Sequence, residues 1–479
     1  MSEPTMPNTF PDALRAPDMS VSLANALDEL GLVHDDQAAA RADHSRDWWP
    51  LTLPLTTQGE VRAWPASVVR ARSSGDVRNT IAVARRLGLS ITVQGGRSGV
   101  VGGATPVENG IALDLTAMNH VLDIDEVSGS VRVEAGCFGP DLEAALGERG
   151  LTVGHFPQSF ELSTVGGWLA CRGAGQFSNR YGKVEDMVRG LRVVLANGSV
   201  VDLGGHGPRQ ATGPDLVQLF VGSEGTLGVI VEATLVARRR AKSEERAAYA
   251  FNDFDEGLEA CRRVLQRDAR PAVLRLYDQY ESRRTFGDER CVLIVLDEGD
   301  PLFVEATMAI VEHECREADV LSPALVEHWL AQRNDVSALA PLWDNGIVVD
   351  TIEVSAPWAS LGPLHHDVLA TLRDVPEMLV ASVHQSHAYL DGACLYFTFA
   401  GRPSGSAQDF YRETWDRATR DVLRHGAALS HHHGVGRNRA RFVREALGTA
   451  YPLLVALKAM LDPEDLLNPG VLGVGGEPW

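Results

Sequence analysis

Glycine accounts for 46 of the 479 residues, and it is clustered. Five glycines fall in the run Val93-Gln94-Gly95-Gly96-Arg97-Ser98-Gly99-Val100-Val101-Gly102-Gly103, directly after an apolar, strand-like segment at 89–94. A run this rich in glycine cannot lie inside a helix or strand, where each glycine costs conformational entropy and adds no packing. Its successive N–H groups are free to form a concavity for an anion such as a pyrophosphate. The Rossmann fingerprint G-x-G-x-x-G opens a helix, whereas this loop runs into Ala104-Thr105-Pro106, so a Rossmann site is excluded. Taken alone, the run also fits a plain glycine-rich turn.

The surroundings predict a β-α-β unit: a strand at 67–71, an amphipathic helix at 77–87 after Ser73-Ser74-Gly75-Asp76, and the strand leading into the loop. Strand-like runs follow at 111–115, 131–134, 191–195, 200–203 and 228–235, with a helix at 141–149. Before this unit lie a loose tail at 1–20, a helix at 21–32 and a polar stretch ending in Trp48-Trp49-Pro50, so the fold proper is expected to begin near Ala63. After the basic link 238–242, glycine thins. Strands at 247–251, 273–277 and 291–296 with helices at 255–266 and 303–315 form one group, and strands at 379–389 and 394–399 with a helix at 409–424 form another. The fold class expected is α+β, with boundaries at 1–61, 62–240, 241–450 and 451–479. The second large unit would be an antiparallel sheet with helices on one face, and the last segment, a helix stopped by Asn468-Pro469-Gly470, would return to the first domain.

Charge and composition narrow the partners. A net charge of −20 and a pI near 5.2 oppose binding to nucleic acid or anionic lipid. The six cysteines have no C-x-x-C spacing, which reads as buried thiols in a reducing compartment and not as a zinc site. No run approaches the length of a membrane helix, and residues 1–19 have neither a basic start nor an apolar core. A cytoplasmic protein with a small-molecule anionic substrate is expected, with a homodimer left open.

Three further pieces follow the first glycine loop in order: Gln158-Ser159-Phe160-Glu161-Leu162-Ser163-Thr164-Val165-Gly166-Gly167, then Gly173-Ala174-Gly175 with Arg180-Tyr181-Gly182, then Val221-Gly222-Ser223-Glu224-Gly225-Thr226-Leu227-Gly228-Val229-Ile230. The set resembles the FAD-binding domain of the vanillyl-alcohol-oxidase (para-cresol-methylhydroxylase-type, PCMH-type) flavoproteins over about residues 62–240. The resemblance implies a two-subdomain FAD domain, with Gly95, Gly96, Arg97, Ser98 and Gly99 at the pyrophosphate. It places Gln158, Ser159, Ser163, Thr164, Gly166 and Gly167 along the ribityl and phosphate chain, Gly175 and Tyr181 near the flavin, and Glu224, Gly225 and Ile230 in the last cofactor segment. Some members attach the flavin through a histidine in the first loop, where Ser98 stands here; Cys171 near the second segment reads as a core thiol. The FAD is therefore expected to be non-covalent.

The second half carries Ser430-His431-His432-His433-Gly434-Val435-Gly436-Arg437. On an extended backbone His431 and His433 share a face and His432 points away, so these three cannot easily close on one metal; no metal is expected. Arg275, Ser355-Ala356-Pro357-Trp358, the strand holding Tyr396, the triple histidine and Asn468-Pro469-Gly470 occur in the order found in the alkyldihydroxyacetonephosphate synthases. The resemblance implies that Arg275 binds substrate while Tyr396, His431, His432 and His433 handle protons above the flavin. Three departures concern substrate identity: Gln158 replaces an acidic residue, no arginine lies between 336 and 354 where the family holds substrate phosphate, and there is no peroxisomal address. Ether formation, oxidation of a 2-hydroxy acid or alcohol as in FAD-linked D-lactate-type dehydrogenases, and flavin binding without turnover all stay open. Acid precipitation of the purified protein is expected to release its flavin into the supernatant; yellow colour retained in the pellet would reveal a covalent link.

Overall fold

Short Val/Ile/Leu runs between 67 and 114 pair in parallel in the computed structural model, which describes residues 10, 14–335 and 340–476. Most of the expected N-terminal tail and the last three residues of the chain lie outside the described residues. Ile111–Asp114 sits between Ser67–Arg70 and Ile91–Gln94, and the helix Ser74–Leu87 makes the crossover. Ser73 caps that helix by accepting the Asp76 N–H, and Gly88 ends it at φ 65°, a conformation open to glycine.

The fold begins earlier than the sequence implied. Helix Val21–Glu29 buries Leu23, Ala26 and Leu27 in the core of this first sheet, and Val33–Asp35 joins the sheet as an antiparallel edge. Trp49 is fully buried and donates its indole N–H to the Tyr411 hydroxyl at 2.9 Å, far along the chain. The sequence reading placed a helix at 21–32 but left it outside the fold proper.

A second sheet of five antiparallel strands, in the order Val121–Asp125, Ser130–Glu134, Val229–Val236, Val188–Val194, Val200–Gly204, packs on helices Gly139–Gly147 and Val165–Cys171. The third sheet has seven antiparallel strands, with Ser243–Phe251, Cys291–Gly299, Val273–Tyr277, Met378–Ala388, Gly392–Gly401 and Val348–Pro357 adjacent in that order and Asp319–Leu321 at one edge. Helices Phe254–Gln266, Pro301–Glu314, Trp358–Arg373 and Ala407–Arg424 cover one of its faces. Strand Val348–Pro357 and helix Trp358–Arg373 were missed by the sequence reading. The strand's apolar pattern is broken by Asp350 and Glu353, both buried, and the helix carries an internal Pro363.

Period-two alternation decides what the other face of this sheet presents. Leu274, Leu276, Val383, Ile352, Val354, Leu395 and Phe397 enter the helix-covered core. Arg275, His384, Glu353, Cys394 and Tyr396, which lie between them, therefore project from the opposite face. There Val273, Tyr277, Val292 and Ile294 pack with Phe177, Tyr181 and Met187 of the first half of the chain. After helix Tyr451–Leu461 the chain returns to the first sheet: Leu466 accepts the Ile91 N–H at 2.7 Å, and the Asn468 side chain accepts the Val93 N–H at 2.8 Å.

Trp49→Ala removes a buried indole that ties the N-terminal segment to the third sheet, and such truncations cost about 3–5 kcal/mol. A clear fall in melting temperature is expected; an unchanged melting curve would show the segment to be peripheral.

Candidate active site

The first glycine loop is built as an anion cradle. Among the described residues, the backbone N–H groups of Gly95, Gly96, Arg97, Ser98 and Gly99 have no partner within the chain. A Cβ on Gly95 would overlap the Thr164 hydroxyl, and one on Gly96 the Leu162 carbonyl oxygen. Glycine is thus required here so that the loop can press against the segment 159–167, and the two loops together form one wall. Arg97 takes φ 53°, and its guanidinium turns back to Asp43 at 2.6 Å and His44 at 2.9 Å. Thr164 caps helix Val165–Cys171 through the Gly167 N–H, Ser163 accepts the Trp168 indole N–H at 2.7 Å, and Gly166 lies against Ala135. Free consecutive N–H groups beside a helix N-terminus fit the diphosphate of FAD.

Other expected cofactor residues have structural partners. A Cβ on Gly175 would overlap the Phe156 amide nitrogen, so that glycine keeps two backbone segments together. Tyr181 packs over Gly154 and donates its hydroxyl to Glu298 at 2.5 Å, fastening the two halves of the chain. Ile230 is buried in the second sheet, and Gly225, at φ 73°, lies against Asn468. Glu224 accepts the Val435 and Gly436 N–H groups at 2.6 and 2.7 Å, so its carboxylate clamps the histidine loop. Gln158 is exposed and donates to the Asp335 carbonyl at 3.4 Å, while Ser159 is half-buried.

Across from the cradle, the third sheet presents a polar chain. Glu281 accepts from His384 Nδ1 at 2.8 Å, leaving His384 Nε2 to accept from Arg275 Nη2 at 2.8 Å. Burial opposes ionisation of Glu281, but His384, Arg284 and the Ser382 hydroxyl override it and hold the carboxyl down to about 2. Arg275 is thereby fixed in direction. Tyr396 stacks on His384 with ring centroids 4.9 Å apart, and its hydroxyl lies 3.4 Å from His433 Nε2. Burial pushes the Tyr396 phenol well above its usual range and His433 down to about 4, so the phenol keeps its proton and the imidazole is neutral.

The histidine run is bent, not extended, and this overturns the expected placement of its side chains. Glu353 accepts the His432 and His433 N–H groups, at 3.1 and 2.6 Å, and the Ser430 hydroxyl at 2.8 Å, while Gly434 and Gly436 take φ 82° and 52°. His433 then faces Tyr396. His431 and His432 face each other, with Nδ1 atoms 2.9 Å apart, and both rings pack against His387. Arg439, fully buried, pairs with Glu353 at 2.8 Å. Burial opposes ionisation of Glu353, yet Arg439 keeps its carboxyl well below the usual range. A cavity of about 640 Å³ opens beside this loop, lined by Asn179, Lys183, Tyr389, Asp391, Ser430 and His431 among others.

Several functional candidates were missed. Arg333 follows helix Ala324–Gln332, and its guanidinium lies 5.8 Å from the Trp329 ring, whose centroid is 5.3 Å from the Arg275 guanidinium. It also lies over Phe177 at 4.9 Å, at the seam between the two halves of the chain. The segment 336–354 holds no arginine, and Arg333 stands just before it. Glu353 and Arg439, at distant positions, had no local signal. His387 sits after a β-bulge, which no alternation pattern reveals.

Comparison with known proteins identifies the two domains and their relatives. Residues 65–204 match the FAD-binding domain family, and residues 240–472 match the C-terminal domain of FAD-linked oxidases. The uncharacterized FAD-linked oxidoreductase YgcU of Escherichia coli (strain K12) is 30% identical over 430 residues, covering 85% of this chain and 89% of that protein. Alkyldihydroxyacetonephosphate synthase of Dictyostelium discoideum is 29% identical over 484 residues, with 91% and 77% covered. A solved alkyldihydroxyacetonephosphate synthase structure superposes with a TM-score of 0.81 at 25% identity, over 97% of this chain and 89% of that one.

Gly96→Val is expected to abolish flavin binding, because a β-branched side chain would force the two cradle loops apart. The measurement is the ratio of visible to ultraviolet absorbance after purification, with circular dichroism confirming that the chain is folded. Full flavin occupancy would refute the loop assignment.

Proposed function

The chain belongs to the FAD-linked oxidoreductases of the vanillyl-alcohol-oxidase type, and from that premise we propose that it oxidises a hydroxyl-bearing carbon in a small polar substrate carrying a dianionic group of the phosphate class. The observation that carries this reading is the pair of guanidinium groups around Trp329. Arg275 Nε and Arg333 Nη1 are buried and have no hydrogen-bond partner among the described residues. Two unsatisfied cationic donors at one seam are costly unless an anion completes them, and two guanidinium groups suit a dianion better than a monoanion.

Bound FAD supplies a two-electron acceptor for the carbon that bears the hydroxyl. The residues of the chain do the rest. Arg275, held by the His384–Glu281 relay, and Arg333 bind the anionic end and orient the substrate. Tyr396 Oη takes up the hydroxyl proton as its own proton moves to His433 Nε2. The positive charge then rests near Glu353, whose Oε1 lies 3.9 Å from His433 Nδ1. A second reading, redox-neutral ether formation, is favoured by the likeness to alkyldihydroxyacetonephosphate synthases over nearly the whole chain.

The test incubates the enzyme anaerobically with hydroxy acids, polyols and phosphate esters, scoring bleaching of the flavin band, and then aerobically with an artificial electron acceptor. Acceptor reduction by a phosphate-bearing hydroxy compound is expected. Ether product from an acyl-dihydroxyacetone phosphate and a long-chain alcohol, without acceptor reduction, would replace this reading with the second. Arg333→Met should raise KM by about tenfold or more while leaving FAD bound, the worth of one charged hydrogen bond. Tyr396→Phe should lower kcat by about 10²–10⁴-fold, also with FAD retained; a loss below about threefold would remove Tyr396 from the proton path.

A further inference from the structure

Two of the three adjacent histidines are left without a task by the proton path through Tyr396 and His433, and their surroundings are unusual. Strand Met378–Ala388 pairs with strand Gly392–Gly401 in regular register up to Gln385, opposite Leu395. A bulge then inserts Ser386, so that His387 stands opposite Cys394 and not one position further along. Leu395 belongs to the helix-covered core, and Cys394 faces the other way. The bulge therefore turns His387, a residue that alternation would have buried in the apolar layer, onto the polar face beside Cys394. His431 and His432 arrive there from the bent loop. One donor atom from each of His387, Cys394, His431 and His432 lies within 4.8 Å of all the others.

Hydrogen bonding within this group is incomplete. His387 is 3% exposed, and its Nε2 has no partner. The facing Nδ1 atoms of His431 and His432, at 2.9 Å, can share one proton at most. The outer nitrogens are occupied by hydroxyl groups: His387 Nδ1 is 3.0 Å from the Ser386 hydroxyl, and His431 Nε2 is 3.0 Å from the Tyr389 hydroxyl. A ring nitrogen held from behind by a hydrogen bond, with the other nitrogen turned towards a shared centre, is how a metal-ligating histidine is oriented.

We propose that His387, His431, His432 and Cys394 bind a zinc-class divalent cation. Three imidazoles and one sulfur form a closed tetrahedral donor set, which suits a structural ion that ties the histidine loop to the bulged strand and leaves Tyr396 and His433 free for substrate. Binding releases the Cys394 proton to solvent, since the thiolate is the ligand. This site is independent of the reaction proposed above, because its ligands include neither Tyr396 nor the two arginines.

The experiment uses the full-length flavoprotein, free of any histidine tag, equilibrated with zinc and then desalted. About one zinc per chain is expected by elemental analysis, falling sharply in His387→Ala and His432→Ala and unchanged in His366→Ala, which lies in the other histidine–carboxylate cluster. X-ray absorption at the zinc edge should report one sulfur at about 2.3 Å and three nitrogens at about 2.0–2.1 Å, with the sulfur lost in Cys394→Ser. Zinc content in the unmodified protein no higher than in His387→Ala would overturn the proposal, as would an absorption spectrum without sulfur. Flavin content, read separately, keeps a failure here distinct from a failure of the redox assignment.

Discussion

The Glu353–Arg439 pair is the interaction on which the site depends. Both side chains are fully buried, and the carboxylate serves the guanidinium, two backbone N–H groups and the Ser430 hydroxyl at once. Desolvating two charges is expensive, so the pair is a poor source of net stability, but removing one partner strands the other at a cost of about 3–5 kcal/mol. What the pair provides is direction. Its acceptor oxygens bend the histidine run, and that bend sends His433 towards Tyr396 and the two preceding rings towards His387. Glu224 performs the matching task from the flavin-binding half, receiving the Val435 and Gly436 N–H groups of the same loop.

The chemistry of the seam therefore depends on backbone amides as much as on side chains. Carboxylates from two distant segments hold one loop between them, and the loop reaches the glycine cradle through Arg437 and Asn438, whose N–H groups donate to the Val101 carbonyl at 2.9 and 3.0 Å. The glycine-rich run 93–103, the histidine loop and the third sheet are joined by hydrogen bonds.

Much of this was legible in the chain. The glycine run at 95–99 was read as a cofactor loop only together with the three pieces that follow it, and five of the seven strands of the third sheet were expected, at 247–251, 273–277, 291–296, 379–389 and 394–399. Arg275 and Tyr396 were singled out by the resemblance to the alkyldihydroxyacetonephosphate synthases, and in the structure both project from the polar face of the third sheet. Glu353 was invisible: its strand also carries Asp350 and Thr351, so nothing marks one acid among several polar residues as the keystone. Arg333 lies past the end of a helix and meets Trp329 and Arg275 only in three dimensions. Nothing near Trp49 marks its partner, because the Tyr411 that receives it lies 362 positions away in the sequence.

Asn468 carries a consequence for the order of events at the ribosome. Its side chain accepts the N–H of Val93, two residues before the glycine cradle, and its own N–H donates to Ile91. The strand that launches the cradle is thus completed by residues 375 positions further along the chain, a contact of very long sequence separation and slow closure. The flavin-binding half cannot be finished during synthesis of its own residues. Its final edge arrives only after the whole third sheet has been translated, so a chain arrested before that point exposes an unfinished nucleotide site.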